Sequence, residues 1–104
     1  MVLGHEGCGA VKSAVDNVKL GLITQLLAKI QPAINAVKKT FKGDFSSKNY
    51  SAVKKVCHSN VSFNVKRIRQ ESKIIRELEK SKKIRIIGGI YNMETGKVNF
   101  MENI

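Results

Sequence analysis

The chain has 104 residues, 42% hydrophobic and 26% charged, and its 19 Lys/Arg against 8 Asp/Glu give a formal net charge of +11. That length bounds it at one domain with a modest core, and the apolar fraction excludes disorder as its main state. No apolar run approaches the ~20 residues that span a bilayer, and no basic stretch followed by a long apolar one marks a signal peptide, so a cytoplasmic location is expected.

Met1-Val2-Leu3 reads as the tail of a short buried strand that stops at Gly4. GAVKSAVDNV, residues 9–18, then reads as a short helix with Val11 and Val15 four apart on one face. A second helical stretch follows from Gly21, LITQLLAKI, and Pro32 interrupts it. Because Pro is tolerated in a first helical turn, PAINAVKK starts another short helix. GDFSSKN, residues 43–49, is the clearest loop.

From Tyr50 the pattern is strongly helical. Tyr50, Val53, Cys57, Val61, Val65 and Ile68 step by three or four and form one apolar stripe. Ile74, Ile75 and Leu78 continue as a second amphipathic segment that ends in the basic run Lys80 to Lys83, which suits a helix C-terminus. IRIIGGIYN, residues 84–92, has the β-branched, nearly unbroken apolar character of a strand covered on both faces. Gly88-Gly89 inside it implies a bulge or a close backbone approach. METGKVNF turns through Gly96 into a terminal strand, making a hairpin.

This order of elements predicts a single α/β domain over residues 1–104. A partial parallel sheet flanked by helices joins the first strand to the 84–91 strand through a long helical crossover, and a C-terminal β-hairpin closes the chain.

Two features carry candidate chemistry. The first is charge: clustered Lys/Arg neutralise phosphates, but the basic residues are spread along the sequence without interleaved aromatics, which make up 6% of the chain. A lysine-rich solvated surface is therefore expected, with no nucleic-acid and no membrane partner. The second is the string HEGC, which puts His5 three residues before Cys8 among Gly4, Gly7 and Gly9. A strand that ends in a glycine-rich turn and enters a helix places these side chains at the carboxyl edge of the sheet, where open α/β folds put their sites. Cys8 then lies near a helix N-terminus, whose dipole favours the thiolate. Two ligands do not make a zinc site, which needs four, or three and a water. Cys57 reads as a small core residue on the apolar stripe, and His58 as pointing off that face into solvent.

The longer string GHEGCGAVKSA resembles the G-H-x-x-C-G-A-V-K segment of the β-class carbonic anhydrases, and the likeness persists in order downstream. LGLITQLLAKIQPAI is similar to the family's helical insert, Asn60-Val61 to an Asn-Val pair, and ESKIIRELEKSKKIRIIGGIYNMETGKVNF to its closing helix, strand and hairpin. The resemblance implies a zinc enzyme that interconverts CO2 and bicarbonate, with a zinc-bound water as the source of hydroxide. It assigns His5 and Cys8 as metal ligands and identifies no further catalytic residue. The family's remaining ligand is the cysteine of a C-x-D-S-R segment on an earlier strand, whose Asp and Arg pair with each other, and no such segment occurs among the 104 residues. The chain thus resembles the C-terminal half of the fold, with an incomplete zinc site. Its flank is exposed where the other half would pack, so a homo-oligomer is expected. Two expectations follow: a carbonic anhydrase by descent that is inactive or weakly active as these residues alone, or a non-enzymatic remnant or assembly module that pairs with another chain.

Overall fold

The computed structural model describes residues 1–101. The elements run β1 (Val2–His5), α1 (Gly9–Val15), α2 (Ile23–Ala28), α3 (Gln31–Lys38), α4 (Tyr50–Glu71), α5 (Lys73–Lys80), β2 (Gly88–Asn92) and β3 (Lys97–Met101). The sheet has the order β1-β2-β3. β1 runs parallel to β2 in the register Val2↔Gly88 to His5↔Tyr91, and β3 returns antiparallel from Gly88↔Met101 to Asn92↔Lys97. The α/β class, the parallel crossover and the closing hairpin agree with the sequence pattern.

Differences lie at element ends and have local causes. α1 stops at Val15 rather than Val18 because Asn17 takes a left-handed conformation, φ 57°; the Asp16 carboxylate beside this turn accepts from Ser47 N at 2.7 Å. α3 begins with Gln31 and Pro32, so Pro32 starts a helix at the place where its missing N–H is tolerated. Residues 84–87 are not part of the regular strand. Only the Ile87 carbonyl joins the ladder edge, accepting from Val2 N at 2.8 Å, and β2 proper begins at Gly88.

Two clusters make the core. Val11, Val15, Leu27, Ile34, Val37 and Val53 are among those that seal α1, α2 and α3 onto the first half of α4. Cys57, Val61, Val65 and Ile90 seal the second half of α4 onto the sheet. The apolar stripe therefore does what its spacing predicts from Val53 to Val65. Its first member departs: Tyr50 stands 60% exposed at the helix start, beside the N-cap Asn49, whose side chain accepts from Ser51 N. Ser72 separates α4 from α5. Its extended backbone ends the first helix, and its hydroxyl accepts from Ile75 N at 3.3 Å to cap the second.

Two close contacts fix how these layers meet. A Cβ built on Gly4 would lie 2.8 Å from Val61 Cγ2 and 3.2 Å from both Cys57 Sγ and Ile90 Cδ1. Gly89 is equally tight, 2.9 Å from Val98 Cγ1, which is the close approach its sequence context implies. On the far side, Arg69 of α4 donates to both carboxylate oxygens of Glu79 of α5, at 2.7 and 2.8 Å, and Glu79 also accepts from Ile86 N at 3.4 Å. This fork ties α4, α5 and the approach to β2 together.

Gly4→Ala is expected to destabilise the fold by about 1–3 kcal/mol, the usual range for overpacking, read as a lowered denaturant midpoint. The hydrogen bonds from Arg69 hold the Glu79 carboxyl below its ordinary range. Its contribution is therefore present above that range and lost as pH falls through the lowered value. Glu79→Gln should lower stability at neutral pH and make the remaining stability less sensitive to acid, measured by denaturation at several pH values.

Candidate functional site

β1 delivers His5 to the carboxyl edge of the sheet, and the chain turns through Glu6 and Gly7 into α1. Gly7 carries the turn at φ +67° with open space where a Cβ would stand, so glycine is needed there for its backbone freedom. Gly4 and Gly9 have no such φ: the first serves close packing, and the second faces open space. Cys8 is the N-cap of α1, its carbonyl accepting the first helical bond from Lys12 N at 3.0 Å. Its thiol makes no capping hydrogen bond and is half-buried.

His5 is half-buried, with Nδ1 3.0 Å from the Glu6 carbonyl oxygen. A carbonyl only accepts, so Nδ1 carries the proton and, in the neutral ring, Nε2 carries the free lone pair. That is the arrangement a histidine needs to ligate a metal through Nε2 while its other nitrogen is held by a backbone oxygen. His5 and Cys8 thus bracket one tight turn, one with a free imidazole nitrogen and the other with an uncapped thiol.

α4 crosses beneath this turn. Cys57 is buried, and its Sγ donates to the His5 carbonyl at 3.3 Å. Burial, reinforced by the charge of Cys8 and opposed by the bond to His5, pushes its thiol up to about 11. Cys57 is thus a neutral core thiol that braces β1. His58, the next residue, does not point into open solvent as its position off the stripe suggests. It is half-buried against a cavity of about 560 Å³, and burial, followed by the charge of Lys54, pushes its imidazole down. The same cavity is walled by Glu6, Gly7, Tyr50, Cys57 and Asn92.

Sequence reasoning misses the contact between Tyr50 and Glu6. The phenol donates to Glu6 Oε2 at 3.0 Å, and this bond is the main reason the Tyr50 hydroxyl is shifted upward. Helical phase alone places Tyr50 with the apolar stripe. Its distinguishing signal is its place at the first turn of α4, where no earlier helical turn covers it.

Among the described residues, no three His, Cys, Asp or Glu side chains gather into a group that could hold a metal ion. The donors at His5 and Cys8 suit zinc in type and in setting, but two donors do not close a tetrahedral site. The described residues therefore do not by themselves fit a resident zinc. No helix among them is long and apolar enough to cross a membrane.

The family profile described as carbonic anhydrase matches residues 1–98. Solved structures share the fold. One of the two tetrameric β-carbonic anhydrases of the filamentous ascomycete Sordaria macrospora superposes with a TM-score of 0.78 at 15% identity, covering 97% of this chain and 50% of that one. The β-carbonic anhydrase CcaA gives 0.76 at 19% identity, covering 95% and 48%. A variant of the β-carbonic anhydrase CafD of Aspergillus fumigatus gives 0.66 at 17% identity, covering 97% and 55%. The chain spans about half the length of these proteins. No curated protein sequence matches it.

Because Cys57 is buried and Cys8 half-buried, the native metal-free chain should show one fast-reacting thiol and a second only after denaturation. Cys8→Ser should remove the fast phase and Cys57→Ser leave it, as followed with a chromogenic disulfide reagent.

Proposed function

The chain belongs to the β-carbonic anhydrase family, and from that premise we propose that it supplies His5 and Cys8 to a zinc centre for the reversible hydration of CO2 to bicarbonate. The remaining protein ligand comes from polypeptide outside these 104 residues, either continuous with them or on another chain. The single observation behind this reading is the His5–Glu6 turn. Nδ1 is committed to a backbone carbonyl and Nε2 is left free, one turn from the uncapped thiol of Cys8.

This chain's own residues would then orient the site rather than complete it. The Glu6 carbonyl fixes the His5 tautomer. The Cys57 thiol holds the His5 carbonyl from below, and the Tyr50 hydroxyl restrains the Glu6 side chain across the turn. Among the described residues one edge of β1 is left open, since β2 occupies the other and Met1 and Leu3 remain 66% and 49% exposed, so a further strand can pair there. That same edge favours a second reading, an assembly module whose role is to pair with another chain, and it agrees with oligomer formation.

These 104 residues loaded with zinc should hydrate CO2 no faster than their His5→Ala variant. Adding a polypeptide that carries a C-x-D-S-R strand should raise both bound zinc, measured by metal analysis, and hydration rate, and His5→Ala should abolish both gains. Rapid hydration without the added strand would refute the incomplete-site reading. Binding of the strand with neither gain would leave the assembly module as the function, and a stable monomer by light scattering that ignores the strand would exclude that too.

A further inference from the structure

The basic charge is concentrated in one stretch of the chain, and the fold gathers that stretch at one end of the molecule. Residues 66–85, a fifth of the chain, hold nine Lys/Arg against three Glu, so they carry six of the eleven net positive charges. They form one end of the structure: the last part of α4, all of α5 and the connection that leads to β2. Each of the three glutamates there already faces a cation, in the pairs Arg67–Glu71, Arg69–Glu79 and Lys73–Glu77. Lys66, Lys80, Lys82, Lys83 and Arg85 are exposed, and among the described residues none of the five has a carboxylate within ion-pair distance. Lys82 holds the turn after α5 at φ 61°, which carries three of these cations around the end of the helix in succession.

We propose that this end of the molecule binds the phosphate backbone of duplex nucleic acid. Cations without local counter-charge gain by displacing the condensed ions of a polyphosphate, and the gain grows with each phosphate neutralised. The stretch contains no Phe, Tyr or Trp, so it offers no platform on which unpaired bases could stack. Contact with phosphates is what it can make. A lipid surface is disfavoured because the only large apolar side chains exposed in the stretch are Ile74 and Ile84. The exposed leucines Leu20, Leu22 and Leu26 are on and before α2, which packs with α1 in the other core cluster. Basic and apolar surfaces are thus not combined as an interfacial helix requires.

The location leaves the candidate site free. α4 starts with Tyr50 bonded to Glu6 beside the carboxyl end of β1 and runs 22 residues, about 33 Å at the helical rise. The basic connection enters β2 at Gly88, opposite Val2 at the amino end of β1. Polyphosphate binding and site chemistry therefore sit at opposite ends of the sheet, which departs from the expectation of no nucleic-acid partner read from the linear charge distribution.

Fluorescence anisotropy with a labelled 20-bp duplex of mixed sequence, across a series of salt concentrations, tests the proposal. Affinity should fall steeply with salt. The combined variant K80Q/K82Q/K83Q/R85Q should reduce the log–log salt slope by about 3–4 units, roughly one for each phosphate no longer neutralised. A control of equal charge change elsewhere, K19Q/K29Q/K39Q/K42Q, should keep the parent slope, with circular dichroism confirming that both variants fold. An equal reduction in both variants would overturn the proposal in favour of diffuse net charge. So would absence of binding at low salt, or tighter binding to phosphatidylserine vesicles than to the duplex at the same ionic strength.

Discussion

The structure depends on how closely α4 can lie against β1, and Gly4 sets that distance. With no side chain at this position, Val61, Cys57 and Ile90 all close over the strand backbone. The consequences reach the candidate site directly. Because α4 lies this close, Cys57 Sγ can reach the His5 carbonyl, and the first turn of the same helix brings Tyr50 over Glu6. A larger residue at position 4 would lift the helix and slacken both bonds together, so packing in the second core cluster and geometry at the turn are one constraint. Close-packed interiors transmit such displacements because they have little free volume to absorb them.

The same packing bears on the turn that carries the two soft donors His5 and Cys8. Metal ligation asks for donors held in the right protonation state and direction, and that work is done by neighbours of the ligands. Here the neighbours are present: the Glu6 carbonyl on His5, Gly7 shaping the turn, and the α1 N-terminus behind Cys8. Cys57 could be mistaken for a third donor because it lies nearby and is soft. Its burial favours the protonated thiol, with the titration pushed up to about 11, and its place on the buried stripe commits it to the core. Cys57 therefore supports the turn from the core, through its bond to the His5 carbonyl.

How much of this is legible in the sequence follows from the range of the interactions involved. Local periodicity locates every helix and both strands of the hairpin, since apolar spacing reports which face is buried without knowing against what. His5 and Cys8 are legible as a pair because both sit in one short turn. Ends are less so. The stop of α1 at Val15 comes with the left-handed turn at Asn17, which apolar spacing does not report, and the apolar run 84–87 reads as strand although pairing begins at Gly88. Tyr50 and His58 elude the pattern for a common reason. Helical phase gives a direction around the axis, but whether that direction meets solvent or a cavity depends on β1 and the hairpin turn, which are remote in sequence. Gly4 is visible only as a glycine. That it is a packing requirement rather than a turn residue needs the positions of Val61 and Ile90.

The distribution of charge illustrates the same limit. In the linear chain, lysines recur throughout, and the denser run over residues 66–85 is interspersed with three glutamates. Folding changes the quantity that matters from charges per residue to unpaired charges per surface. In residues 66–85 the three glutamates are each paired with a cation, which removes them as counter-charges for the lysines that follow α5. The two exposed pairs, Arg67–Glu71 and Lys73–Glu77, contribute little to stability, so their larger effect is on the field outside the protein. They neutralise part of the helical surface and leave the cations at and beyond the end of α5 to dominate that end. The fork between Arg69 and Glu79 therefore has two roles, anchoring the segment that enters β2 through Ile86 and determining which neighbouring cations remain without a local partner.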